Sequence, residues 1–168
     1  MKEISFRDDI LPLKNKFYRL ALRITLDTAE AEDVVQDTLI RLWGKRSELP
    51  DNIEAYGFTV CRNLAIDRSE KKEAQNIPLN EEQSETLQTP SNPYEQLTQS
   101  ERSKTVYQLF ARLPEKQRTV MQLRDIEEKS YKEIATLLQL TEEQVKITLF
   151  RARQRIRQQY EKIENYGL

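Results

Sequence analysis

The chain has 168 residues, and its net charge of −1 conceals 27 Lys and Arg set against 28 Asp and Glu. It holds no His, one Cys and only 3 Gly, which removes zinc sites, disulfides, Cys–His or Ser–His catalysis and glycine-rich phosphate loops. No apolar run approaches bilayer-spanning length and no cleavable leader is visible, so the expectation is a soluble, cytoplasmic, all-α protein without metal or cofactor.

In chain order, residues 4–24 read as helical, with Pro12 breaking or kinking the run early. Asp27 followed by Glu30 has capping-box spacing and opens the helix AEAEDVVQDTLIRLWGK. On it Val35, Thr38, Leu39 and Leu42 share one face and are expected in the core. Asp33, Gln36, Asp37 and Ile40 share the opposite face. An aliphatic residue ringed by carboxylates suits docking of a basic, partly apolar partner. A single exposed Ile is equally ordinary on a plain surface, and the residues alone do not choose between the two.

Asp51 and Glu54 again have capping-box spacing, before a helix through AYGFTVCRNLAIDRSEKK. Cys61 lies in an apolar stretch of this helix and reads as a buried structural thiol. Tyr56 and Phe58 precede Arg62, Asn63, Arg68, Lys71 and Lys72. Aromatics, an amide and cations together offer stacking, base-edge hydrogen bonds and backbone neutralisation to a single strand. The alternative is a core Phe58 with a solvated basic helix end, and the residue pattern leans that way.

Charge divides the rest. Residues 1–72 are neutral, residues 73–100 carry five Glu and no Lys or Arg, and residues 101–168 carry a net +4. With Pro78, Pro90 and Pro93, the middle reads as an acidic linker over 73–95 between helical domains at 1–72 and 96–168. In the second domain, Ile134, Leu137 and Leu138 recur at helical spacing, with Ala135 small where another helix must pass. Thr141 can N-cap the next helix, and Glu142 and Glu143 sit in its positive first turn. Val145, Leu149, Ala152 and Ile156 form the inner stripe. Lys146, Arg151 and Arg153 lie off it, and no acid occurs from Lys146 to Arg157. This is a helix-turn-helix with a basic recognition helix, which points to duplex DNA. Gln139 stands in the turn where a left-handed residue is needed. A plain amphipathic helix pair with a solvated basic face is the rival, and it leaves cap, turn length and charge pattern unconnected.

The segments AEDVVQDTLIRLW (31–43), RNLAIDR (62–68), LPEKQR (113–118) and SYKEIATLL…VKITLFRARQRIR (130–157) occur in this order. Together they closely resemble the sigma subunits of bacterial RNA polymerase, sigma-70 family, extracytoplasmic-function type. The resemblance covers nearly the whole chain apart from the linker and the last residues. It implies a factor that binds core RNA polymerase and directs promoter recognition, DNA opening and transcription initiation. Asp33, Gln36, Asp37 and Ile40 would dock on the clamp helices of the largest subunit, and the C-terminal domain would meet the flap region. Phe58, Arg62, Asn63, Arg68 and Lys71 would hold the melted non-template strand of the −10 element, with Asn63 at a flipped base. Asp67 would be a buried, helix-fixing carboxylate. Thr141, Gln144, Lys146, Thr148, Arg151 and Arg153 would read the −35 duplex. An anti-sigma factor is an expected partner, and catalysis and membrane insertion are not expected. Two departures, Gln139 and Glu128 in place of Gly, put local turn geometry in question. A stand-alone DNA-binding regulator or a sigma-like adaptor without DNA binding would leave one or more of the four segments unexplained.

Overall fold

The computed structural model describes residues 3–74 and 108–166, and every regular element among them is helical. The linker expected at 73–95 lies outside the described residues except for its first two positions, which finish a helix. The N-terminal run does not form one kinked helix. A π-turn (Phe6–Ile10) and a 3-10 turn (Leu11–Leu13) precede α1 (Lys14–Thr25). Pro12 has no N–H to donate, so it sits in the short turn and the continuous helix starts behind it.

Helix α1 buries Phe17, Leu20, Ala21 and Ile24, a stripe at i, i+3, i+4 and i+7. It stops at Leu26, whose left-handed φ of 57° lets its N–H reach Leu22 O at 2.9 Å. Helix α2 (Thr28–Gly44) then starts at Asp27, whose side chain accepts from Glu30 N–H at 3.1 Å. Burial pulls the Asp27 carboxyl upward. The Lys72 ammonium at 2.6 Å and the helix N–H groups outweigh that, leaving its pKa below the usual range. Val35, Thr38, Leu39 and Leu42 are buried as expected. The Thr38 hydroxyl is satisfied by donating to Val34 O at 2.8 Å.

Helix α3 (Ile53–Ala74) closes the N-terminal three-helix unit by burying Gly57, Phe58, Cys61 and Ala65. Its cap is one residue later than the sequence suggested. Asn52 Oδ1 accepts from Ala55 N–H at 3.0 Å, while Glu54 is drawn away by Lys16 and Lys129. Phe58 is fully buried and meets Phe17 edge-on, with ring centroids 5.5 Å apart. Cys61 is also fully buried and donates to Phe17 O at 3.3 Å. Burial pushes its thiol up to about 12, so the nucleophilic thiolate is scarce at neutral pH. Ellman's reagent should therefore find no reactive thiol in the native chain and one per chain after denaturation.

The C-terminal unit comprises a helical turn over 108–111, α4 (Glu115–Met121), a π-turn (Gln122–Ile126), α5 (Tyr131–Leu138) and α6 (Glu142–Tyr166). Val120, Leu123, Ile134, Ala135, Leu138, Val145, Leu149 and Ala152 are among its buried apolar residues. The two units are packed together. Helix α1 lies against α4 and the following π-turn, and α3 lies against α5.

Candidate nucleic-acid interface

The helix-turn-helix is built as its residues require. Ser130 caps α5 by accepting from Glu133 N–H at 3.1 Å. The turn residue Gln139 adopts φ 57° and ψ 46°, the left-handed conformation anticipated for it, and Glu128 has φ 58°. At the start of α6, Thr141 Oγ1 accepts from Gln144 N–H at 3.0 Å while Gln144 Oε1 accepts from Thr141 N–H at 2.9 Å. This reciprocal cap satisfies two otherwise orphaned donors and fixes the helix start. Two of the six expected −35 residues therefore hold the reading helix in place, although both remain exposed.

Val145, Leu149 and Ala152 face inward, so Lys146, Arg151, Arg153, Arg155 and Arg157 are turned to solvent. Thr148 is half-buried and donates to Gln144 O at 2.7 Å. The Lys146 ammonium lies 5.3 Å from the Tyr131 ring centre, and Arg124 lies 4.3 Å from the same ring. Arg153 is clasped by Asp125 of the preceding turn, which raises its pKa through the hydrogen-bonded pair. The sequence reading missed two large apolar side chains on this surface. Ile147 and Phe150 are 43% and 65% exposed, and their position between the cations was the signal available.

On α2, Asp33, Gln36 and Ile40 are exposed and Asp37 is half-buried, with Ile40 67% accessible. Two of these carboxylates already have a partner. Arg68 of α3 reaches across to Glu30 at 3.3 Å, to Asp37 at 2.7 Å and to Asp33. Partial burial alone would lower the Arg68 pKa, and the three carboxylates reverse the sign. Arg68 thus fastens α3 to α2.

Two expectations on α3 are corrected. Phe58 cannot stack on a base, because its ring is sealed in the core against Phe17. Asp67 is not buried: its side chain is exposed and pairs with Lys71 at 3.4 Å, one turn on. Asn63 is exposed. Arg62 is largely covered, with its guanidinium 3.6 Å from Glu115 of α4 and its Nε lacking a hydrogen-bond partner. A cleft of about 1070 Å³ opens beside the N-terminus of α3, lined by Ile4, Trp43, Arg46, Leu49, Asp51 and Ile53. Arg46 sits 4.1 Å over the Trp43 ring at its edge. Sequence reading passed over this Trp–Arg pair, whose spacing of three residues across a helix end was the clue.

Among the described residues no helix is long and apolar enough to cross a membrane, and no cluster of His, Cys, Asp or Glu could hold a metal. Residues 10–75 match the family Sigma-70 region 2, and residues 103–156 match Sigma-70, region 4. The chain is 30% identical over 166 residues to the ECF RNA polymerase sigma factor SigW of Bacillus subtilis, covering 92% of this chain and 88% of that protein. It is likewise 30% identical over 154 residues to SigM of the same organism, covering 87% and 89%. The fold resembles the sigma factor RpoE solved with the anti-sigma factor NepR from Bartonella quintana. That match has a TM-score of 0.70 and 23% identity over 94% of this chain and 97% of that one. CnrH, solved with the cytosolic domain of CnrY, gives a TM-score of 0.66 and 18% identity over 94% and 88%. A reading helix on a helix-turn-helix, a three-helix unit bearing an exposed acidic–aliphatic face, and relatives aligned along most of their length all agree, and the chain belongs to the extracytoplasmic-function sigma factors, which direct bacterial RNA polymerase to promoters.

Proposed function

We propose that the work of initiation is divided among three faces of this chain. Gln36 and Ile40, with the outer edges of Asp33 and Asp37, form the face of α2 that docks on the clamp helices of the largest polymerase subunit. Helix α6 lies in the major groove of the −35 element. There Lys146 and Arg151 reach base edges or phosphates, and Ile147 and Phe150 supply apolar contact for thymine methyl groups. Thr141 and Gln144 fix where that helix starts through their mutual cap. Arg153 exchanges Asp125 for a phosphate when DNA arrives.

The N-terminal unit receives the melted −10 strand along α3, with Asn63 hydrogen-bonding a displaced base, and Arg62 and Lys71 neutralising phosphate. Stacking, for which Phe58 is unavailable, passes to Trp43 under Arg46 in the cleft beside α3. A base lifted from the duplex costs a few kcal/mol of unstacking, which an aromatic face and amide hydrogen bonds can offset. The chain acts in the cytoplasm as an initiation subunit without chemistry of its own. Its C-terminal unit meets the flap region, and an anti-sigma factor is a further partner, as NepR is for RpoE.

The observation that supports this most strongly is the solvent-facing row of cations on α6, behind a turn locked by Gln139 and the Thr141–Gln144 cap. Its test is promoter binding by reconstituted holoenzyme on genomic fragments. Lys146→Ala or Arg151→Ala should each weaken −35-dependent binding by about 1–3 kcal/mol where a base contact is lost. Unchanged affinity in both variants would remove α6 from the groove.

A further inference from the structure

Arg68 is rooted on α3, yet the carboxylates it binds stand on α2. Glu30, Asp33 and Asp37 follow one another at i, i+3 and i+7, which sets three carboxylates in a single stripe along that helix. Like charges one turn apart repel, so side chains left to themselves would splay. One guanidinium gathers all three. Its Nη1 donates to Glu30 at 3.3 Å and to Asp33, and its Nη2 donates to Asp37 at 2.7 Å. The planar fork of arginine holds several oxygens at fixed angles, where an ammonium would act as one mobile point of charge.

The arrangement is lopsided in a way that bears on docking. Arg68 approaches from the inner side: its side chain is 25% exposed, against 56% for Asp33 and 42% for Asp37. It takes only Oδ2 of each aspartate, which leaves Oδ1 of each for an incoming donor. Three carboxylates share one cation, so the cluster keeps two negative charges after its internal pairing. Such a cluster is held in place and still attracts a basic surface. One turn further along α3, Lys72 pairs with Asp27 at 2.6 Å, which pins the backbone from which Arg68 extends.

We infer that Arg68 is a positioning residue for polymerase docking: from the strand-binding helix it holds Asp33 and Asp37 with their outer oxygens presented to the basic partner. The inference rests on the docking assignment of α2 made above and adds to it the residue that prearranges the charges. Prearrangement lowers the ordering cost of binding, and its loss shows as faster dissociation. Removing Arg68 also makes the face more negative by one charge, which favours encounter with a basic surface. The two consequences oppose each other, and the two rate constants separate them.

The test is binding of the full chain to immobilised core RNA polymerase, with both rate constants read by biolayer interferometry at fixed ionic strength. Arg68→Gln should dissociate about tenfold faster than wild type while associating no more slowly. Arg68→Lys, which keeps the charge without the fork, should fall between the two. A chain carrying Asp33→Asn and Asp37→Asn should itself bind more weakly. Adding Arg68→Gln to it should change dissociation by less than about twofold. A role confined to holding α3 in place would instead add its full loss in that background. Circular dichroism should stay helical throughout, since Phe58, Cys61 and Ala65 still bury α3. If Arg68→Gln loses helicity, Arg68→Lys carries the same comparison in both backgrounds. Wild-type or tighter binding by Arg68→Gln, or an undiminished loss in the Asn background, would overturn the inference with docking on α2 intact. Wild-type binding by the Asp33→Asn, Asp37→Asn chain would overturn the docking assignment and the inference together.

Discussion

A chain carrying Gln36→Lys and Ile40→Asp should no longer co-purify with core RNA polymerase, while its helical circular dichroism stays that of the wild type. Ile40 is 67% exposed and touches no core, so replacing it changes an outward face and little else. An apolar anchor at the centre of an interface is typically worth 2 kcal/mol or more, about a thirtyfold loss of affinity. Lysine at position 36 adds repulsion against a basic partner. Asp37 is deliberately retained, because it accepts from Arg68 at 2.7 Å and removing it would disturb the α2–α3 contact as well as the docking face. Retained polymerase binding in this double variant would move the docking surface off α2.

The largest effect on stability should come from Gly57→Ala. Alanine in place of glycine inside an exposed helix ordinarily stabilises by about 1 kcal/mol. Here the sign should reverse. A Cβ at position 57 would fall 2.2 Å from Phe17 Cζ and 2.8 Å from Cε1, well inside contact distance. The Phe17 ring cannot swing away freely, since it is fully buried and braced edge-on by Phe58. Overpacking of this kind costs about 1–3 kcal/mol, which thermal unfolding should register as a melting temperature several degrees lower. Phe17→Leu in the Gly57→Ala background should recover part of the loss, because it removes the atoms that clash. An unchanged or raised melting temperature would mean that α1 and α3 are not in contact at this point.

The periodicity of apolar residues located α2, α5 and α6 and most of their buried faces, because Val35, Leu39, Leu149 and Ala152 could satisfy hydrophobic burial in only one orientation. Cap chemistry was equally legible at Asp27 and Thr141, where the side chain bonds to backbone three residues ahead. It failed at Asp51–Glu54. There Glu54 has two lysines to choose from, one more than 70 residues away in the chain, and a local rule cannot weigh a distant ammonium. Phe58 shows the opposite case. The residue pattern leaned toward a core ring and the resemblance assigned Phe58 to the strand; its burial against Phe17 sides with the residue pattern. Arg68 and Arg62 are long side chains whose ion-pair partners lie on other elements. Sequence spacing says where such a side chain is rooted and nothing about where its charge ends up.

Helix α5 is bounded on both sides by residues that would rather be elsewhere in conformational space. Glu128 precedes it at φ 58° and Gln139 ends it at φ 57°, each at a cost of roughly 1–2 kcal/mol that glycine would avoid. Neither turn therefore dictates the angle between the two helices it joins. That angle is imposed from within, by Ile134 and Leu138 closing on Val145 and Leu149, and the backbone is bent to comply. The aim of the DNA-reading helix is thus stored in four buried hydrocarbon side chains, none of which can touch DNA. Base preference in this protein should drift through changes beneath the reading surface as readily as through changes on it.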